Sequence, residues 1–221
     1  ALLSACTSHK KAELASGNDP QKAVAEVTQI MQAAQQDQID VLADKAYSNG
    51  VDYLADAEQG LNKAESEKTV LEDAAIAKAF FQQARKVALP RETFSRRILA
   101  ARKAALKAGV RNNDKLVELM MDIDDDLKSD TKQFSRHLSP EDFSEHQKQY
   151  LDLEVKAVQF NTLNDAREVI DQAVENDAED LAPESLRAAS LDYQTAKNMI
   201  AQSPRSPDIY NESVQAVLDS A

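Results

Sequence analysis

Three histidines, one cysteine and two charge runs are where side-chain chemistry could concentrate in this 221-residue chain. A nucleophilic triad needs a base beside its nucleophile, and a metal centre needs several ligands on rigid elements. His9 lies in a polar N-terminal stretch, His137 in the last turn of a helix expected over 114–138, and His146 on the apolar stripe of the next helix. A helix C-terminus favours a cationic His137, and His146 reads as a core histidine. The two could meet across Leu138-Ser139-Pro140, but no third ligand accompanies them. A di-iron bundle would need Glu-x-x-His on two helices, whereas Glu145 and His146 are adjacent. In Asp122-Ile123-Asp124-Asp125-Asp126, the sixth and twelfth positions of a calcium loop would hold Leu127 and Gln133 instead of glycine and a carboxylate. Asp122, Asp125 and Asp126 are therefore expected to face water or a neighbouring helix. No catalytic residue, metal ligand or cofactor site emerges, and the expectation is a protein that is not an enzyme.

The basic run is a different matter. Arg91, Arg96, Arg97, Arg102, Lys103, Lys107 and Arg111 are accompanied by a single carboxylate, Glu92, in a chain whose net charge is −12. They are candidate contacts for an anionic partner such as lipid headgroups or cell-wall polymer. The competing reading, preferred here, pairs them with acidic neighbouring helices, since charge runs are usually solvated faces. The acidic balance, with pI near 4.7, opposes binding to nucleic-acid phosphates.

The elements that must hold these residues are helices. Four glycines, six prolines, no tryptophan and 5% aromatics leave little material for sandwiches or barrels. The expected fold is all-α: an elongated antiparallel bundle of about six to seven helices around one long helix at about 139–181. Ser139 is a natural N-cap, Pro140 suits the first helical position, and Glu141 and Asp142 complement the dipole. Phe143, His146, Tyr150, Leu153, Ala157, Phe160, Leu163, Ala166, Ile170 and Val174 then recur at three- and four-residue steps. At about 1.5 Å per residue such a helix is roughly 60 Å long, so several shorter helices must cover its stripe in turn.

Before it, Ser16-Gly17-Asn18-Asp19-Pro20 signals a helix start, and a helix is expected over about 21–47. Ser48-Asn49-Gly50 reads as a break or as a point the helix runs through. The next helix, about 51–89, is expected to stop at Pro90. The basic helix follows to Ala108, with Gly109 as its C-cap, and then the helix over 114–138. After the long helix, Pro183 restarts a helix to about Gln202, and Ser206-Pro207 caps a last one from Asp208. No run approaches the ~20 apolar residues a membrane span requires.

Cys6 cannot pair within the chain, so its context matters. Leu3-Ser4-Ala5-Cys6, followed at once by Thr7-Ser8-His9-Lys10-Lys11, resembles a bacterial lipobox, in which small residues close a signal peptide and the cysteine sulfur takes a diacylglyceryl group. The alternative is a short apolar segment with a buried cysteine. On the lipobox reading, residues 1–5 are the remnant of a signal peptide, 6–20 a lipidated tether and 21–221 the helical domain. The acyl chains, palmitate among them, then attach the protein to a membrane. Thr7 in place of an aspartate implies the outer membrane.

The last third of the chain carries a further resemblance. Leu163-Asn164-Asp165-Ala166-Arg167, Ala182-Pro183-Glu184-Ser185-Leu186-Arg187-Ala188-Ala189, Tyr193, Ala196, Ile200, Ser203-Pro204-Arg205 and Val214-Gln215-Ala216 resemble the N-terminal helical region of OmpA-family lipoproteins. That resemblance implies a helical spacer or interaction module at the periplasmic face of the outer membrane, with envelope proteins as partners. It also implies peptidoglycan binding by a C-terminal domain that would follow Ala221. No peptidoglycan-binding residue is assigned within these residues. The second expectation is a helical binding module for an apolar or anionic ligand, with a cleft near Arg96, Arg97 and Lys103.

Overall fold

Alanine-rich helical seams dominate what this sequence builds. The structure is a computed structural model that describes residues 12–14, 17–132 and 140–220. Cys6, His9, Phe134, His137 and Ser139 fall outside them, as do the side chains of Phe94 and Phe143. Nine α-helices and one 3-10 turn account for nearly all described residues, with no strand among them, so the fold is all-α. They are α1 Pro20–Gln36, α2 Ile39–Leu42, α3 Asp44–Asn62, α4 Glu67–Lys107, α5 Asp114–Lys132, α6 Pro140–Glu175, α7 Ala178–Leu181, α8 Pro183–Gln202 and α9 Pro207–Ser220, with the 3-10 turn at Val110–Asn112.

The span 21–221, read above as one bundle, divides into two compact units. The first lies within Ala1–Arg96 and Asp124–Leu138, the second within Arg97–Ile123 and Ser139–Ala221.

In the first unit Asp19 caps α1, its Oδ1 accepting from the Lys22 amide at 3.1 Å, with Pro20 at the first helical position. That backbone hydrogen bond lowers the Asp19 carboxyl below its ordinary value. Ala23, Val24 and Val27 of α1 meet Leu54 and Ala57 of α3 and Val70, Ala74, Ala77 and Phe81 of α4 in one cluster. Small side chains at these positions let the backbones approach, and the Phe81 ring fills the remaining space, edge-on to Tyr47 with centroids 5.5 Å apart. Gly50 belongs to this contact. A Cβ there would lie 2.8 Å from Phe81, so the glycine serves close packing inside α3, and the helix runs straight through Ser48-Asn49-Gly50.

Pro90 does not stop the helix, contrary to the expectation from sequence. α4 continues through it for 41 residues and is the longest helix described. Proline forfeits its own N–H and crowds the carbonyl four residues back, a cost of about 3 kcal/mol that burial on both sides can outweigh. Ala84 and Ala88 before it and Ser95 and Ile98 after it are all buried.

The real breaks lie elsewhere. Gln38, Ala64 and Asp177 adopt left-handed conformations with φ of 57°, 54° and 60°. They separate α1 from α2, α3 from α4 and α6 from α7. The helix expected over 139–181 is thus 36 residues of α6 followed by a separate single-turn α7.

In the second unit one cluster joins Ala105, Val110, Leu116, Met120, Leu153 and Ala157, and another joins Leu163, Ala166, Ala196, Ile200, Tyr210 and Val217. The stripe of α6 therefore serves the α4–α5 corner first and α8 and α9 next. Gly109 closes α4 at φ 89°, as its C-cap role requires. Asn161 of α6 fixes that corner, its Nδ2 donating to the carbonyls of Ala108 at 2.9 Å and Gly109 at 3.2 Å while its Oδ1 accepts from Asn112 at 2.7 Å.

Candidate functional site

The basic run lies along α4 and into the 3-10 turn that follows it. The boundary between the units falls between Arg96 and Arg97. Arg91 turns back to donate to the Leu42 carbonyl, closing the C-terminal end of α2, and partial burial lowers its pKa from the ordinary guanidinium value. Arg102 is buried at 6% exposure. Arg96, Arg97, Lys103, Lys107 and Arg111 are exposed. The grooves described below and at the α1 N-terminus are lined by other residues.

Other candidate chemistry takes structural positions. His146 is buried on α6 at 6% exposure. Asp122, Asp125 and Asp126 are exposed, with Asp125 paired to Lys128 at 2.9 Å. Burial opposes the charge on Lys128, but the hydrogen bond and charge of Asp125 outweigh it and raise the ammonium pKa. Among the described residues no group of three or more histidines, cysteines, aspartates or glutamates could hold a metal ion. No helix among them is long and apolar enough to cross a membrane.

Two neighbouring features of the second unit carry the surface chemistry. The first is a groove of about 600 Å³ between the N-terminus of α5, α6 and α8. Asn113 caps α5, its Oδ1 accepting from the Leu116 amide at 3.1 Å. Phe160 and Tyr193, each half-buried against one of the two cores, supply apolar surface to the groove, and charges of both signs line it, Lys115, Lys156, Arg167 and Lys197 with Asp114, Glu168 and Asp171. Gln159 ties α6 to α8 beside it, donating to the Lys197 carbonyl at 3.0 Å.

The second feature is the hairpin that continues from the groove, the C-terminal part of α6, α7 and the N-terminal part of α8. From Arg167 to Thr195, 29 residues, Ala189 is the one buried side chain. Val169 and Val174 are each 42% exposed, Leu191 66% and Leu181 80%. The same segment holds eight carboxylates against two arginines, Arg167 and Arg187. Arg167 pairs within its own helix with Asp171 at 3.3 Å.

Sequence periodicity placed Ile170 and Val174 on the core stripe, but both lie outside the α6–α8–α9 cluster, Ile170 half-buried and Val174 exposed. The signal that marks the hairpin in the sequence is its excess of carboxylates. No protein-family model, curated protein or solved structure matches this chain.

Proposed function

We propose that this chain is a non-enzymatic module of the bacterial cell envelope, tethered through lipid on Cys6 to the periplasmic face of the outer membrane, whose helical units present a protein-docking surface. The observation that carries the docking role is the hairpin from Arg167 to Thr195, which keeps one side chain buried and leaves valines and leucines in water. Soluble proteins seldom expose clustered apolar side chains unless something binds them. The polar groups best placed to act, Arg91, Asn161 and Glu154, are engaged in holding turns and helices together. The tether rests on the Leu3-Ser4-Ala5-Cys6 pattern alone.

The test is expression behind an outer-membrane lipoprotein signal in a Gram-negative host. Wild-type protein should pellet with outer membranes and carry acyl mass on the peptide that begins at Cys6. Cys6→Ser should release it, and an unmodified thiol in the wild type would remove the tether. A photo-cross-linking residue at Leu181 should capture an envelope protein, and the absence of any adduct there would remove the docking role.

A second reading is a helical binding module for an anionic or apolar ligand. It is favoured by the groove in which Phe160 and Tyr193 supply apolar surface between Lys115, Lys156, Arg167 and Lys197 and the carboxylates Asp114, Glu168 and Asp171. Native mass spectrometry of protein taken from the envelope should then show a small molecule lost on Lys156→Glu, and only bare protein would dismiss it.

A further inference from the structure

We infer that Ala12, Glu13 and Leu14 form a strap latched onto the first unit, which shortens the lipid tether and holds that unit close to the bilayer surface. This deepens the anchoring proposed above and rests on it. The stretch 6–20, read from sequence as a polar tether, is held over part of its length. The Ala12 amide donates to the Ala75 carbonyl of α4 at 3.2 Å, and Lys78, one turn further along α4, donates to the Glu13 carbonyl. Leu14 packs against the apolar cluster that α1, α3 and α4 share. Gly17 then takes φ 63°, its amide reaching back to the Leu14 carbonyl at 3.4 Å, and the chain enters the Asp19 cap of α1.

Lys78 is the latch. Its side chain is 13% exposed, and its ammonium also pairs at 2.7 Å with Glu26 of α1, whose side chain is 19% exposed. An ion pair withdrawn this far from water returns little net stability, because desolvation offsets the attraction. Its effect here is to join three segments, α1, α4 and the strap, at one ammonium. The consequence is one of reach. A chain spans at most about 3.6 Å per residue, so the six residues from Cys6 to Ala12 let the latched unit stand no more than roughly 22 Å from the acylated residue. The fourteen residues from Cys6 to Pro20 would allow roughly 50 Å. Latching thus makes the first unit a membrane-proximal body, which a partner must approach at the bilayer surface.

Hydrogen exchange followed by nuclear magnetic resonance tests the latch, and energy transfer to a bilayer tests the reach. In the full chain the Ala12 amide should exchange at least about tenfold more slowly than in an unstructured peptide. Leu14→Ser, which alters no helix, and Lys78→Met should each bring it within about twofold of the peptide. The amides of Leu54 and Ala57 should stay protected in both variants, the sign that the core persists. For the reach, acylated protein in vesicles of phosphatidylethanolamine and phosphatidylglycerol carries a donor dye at Gln82→Cys, an exposed position of α4, with acceptor dyes on the headgroups. Transfer should be high in the parent and fall by about half or more in Leu14→Ser, and likewise when a short Gly-Ser segment is inserted after Lys11. An unprotected Ala12 amide, or transfer indifferent to Leu14→Ser or to the insertion, overturns the inference. The two readings fail separately. An unmodified thiol at Cys6 refutes the anchor, and the short standoff with it, while Ala12 stays protected; an unprotected Ala12 refutes the strap with the anchor intact.

Discussion

Glu154 is the side chain whose burial asks most of its surroundings. It sits on α6 at 3% exposure, and Arg205 from the turn before α9 meets it with two parallel hydrogen bonds, Nε to Oε1 and Nη2 to Oε2, both 2.6 Å. The charge-assisted fork raises the guanidinium pKa above its ordinary value. Arg205→Ala would strand a carboxylate in an apolar site. A fully buried pair broken this way costs about 3–5 kcal/mol, and because the arginine itself is 60% exposed, about 1.5–3 kcal/mol is expected in urea unfolding. Arg205→Lys keeps the charge but not the fork and should fall between. A loss under about 0.5 kcal/mol for the alanine variant would mean the carboxylate is not stabilised by this contact. Sequence identified Ser203-Pro204-Arg205 only as a turn, because its partner lies 51 residues away and nothing local marks it. Tyr210 in the same corner carries a pH prediction. Burial raises its phenol above the ordinary value of 10.0. Below about pH 10 both folded and unfolded phenols are neutral, and stability does not depend on this group. Above it the unfolded chain ionises first, so stability falls as pH rises toward the raised folded value. Tyr210→Phe should show a shallower alkaline loss in thermal melts from about pH 9.5 to 11. At neutral pH it should stay within about 1 kcal/mol of the parent, since the hydroxyl's bond to the Pro204 carbonyl is long at 3.5 Å. An unchanged alkaline slope would exclude the phenol as the cause.

The helices themselves were legible where their ends carry side-chain signals. Asp19-Pro20 starts α1, Gly109 ends α4, Pro183 starts α8 and Pro207 starts α9, each at or beside the expected position. The boundaries missed at Gln38 and Ala64 share one cause, that the chain turns at residues with no turn chemistry of their own, whereas Asp177 is of a type that tolerates the left-handed region. Ala64 is the clearest. The Glu65 amide reaches the Gly60 carbonyl at 2.9 Å and the Ala64 amide the Leu61 carbonyl at 3.2 Å, the paired bonds of a Schellman motif, with alanine where glycine is usual. Its φ of 54° brings the Cβ toward the carbonyl oxygen, costing roughly 1 kcal/mol. Ala64→Gly should therefore raise stability by up to about 0.5 kcal/mol in denaturant unfolding, after glycine's extra unfolded-state entropy takes its share. A destabilised Ala64→Gly would show that the alanine methyl makes a contact worth more than the strain. Conversely, Gly50 and Pro90 carry strong local signals for interruption and sit inside continuous helices. Tertiary packing decides both, through the Phe81 ring at Gly50 and buried alanines before Pro90. Phe81's approach to Gly50 has no signature within one helical window, which is why the core positions could be read and the close packing between the helices could not.

Across the molecule, stability must be distributed unevenly, because burial is. Each unit holds its own apolar cluster, and the second has two along α6. From Leu153 to Ala166 the helix buries Leu153, Glu154, Ala157, Leu163 and Ala166, so opening it exposes a core and breaks the Glu154–Arg205 fork. From Arg167 to Thr195 it would expose little more than Ala189. Burying a large aliphatic side chain contributes about 1.5–3 kcal/mol, and isolated helices of such length are marginal in water, so local opening of the hairpin should cost far less than global unfolding. The eight carboxylates add mutual repulsion that salt screens. Hydrogen exchange should accordingly find amides from Asp171 to Leu186 exchanging at least about a hundredfold faster than those from Leu153 to Leu163, equivalent to roughly 2.7 kcal/mol less protection. Raising ionic strength should narrow the gap, since less repulsion remains to favour the open hairpin, while the amides of the buried stretch change little. Equal protection in the two stretches would mean that the hairpin is held by interactions other than burial.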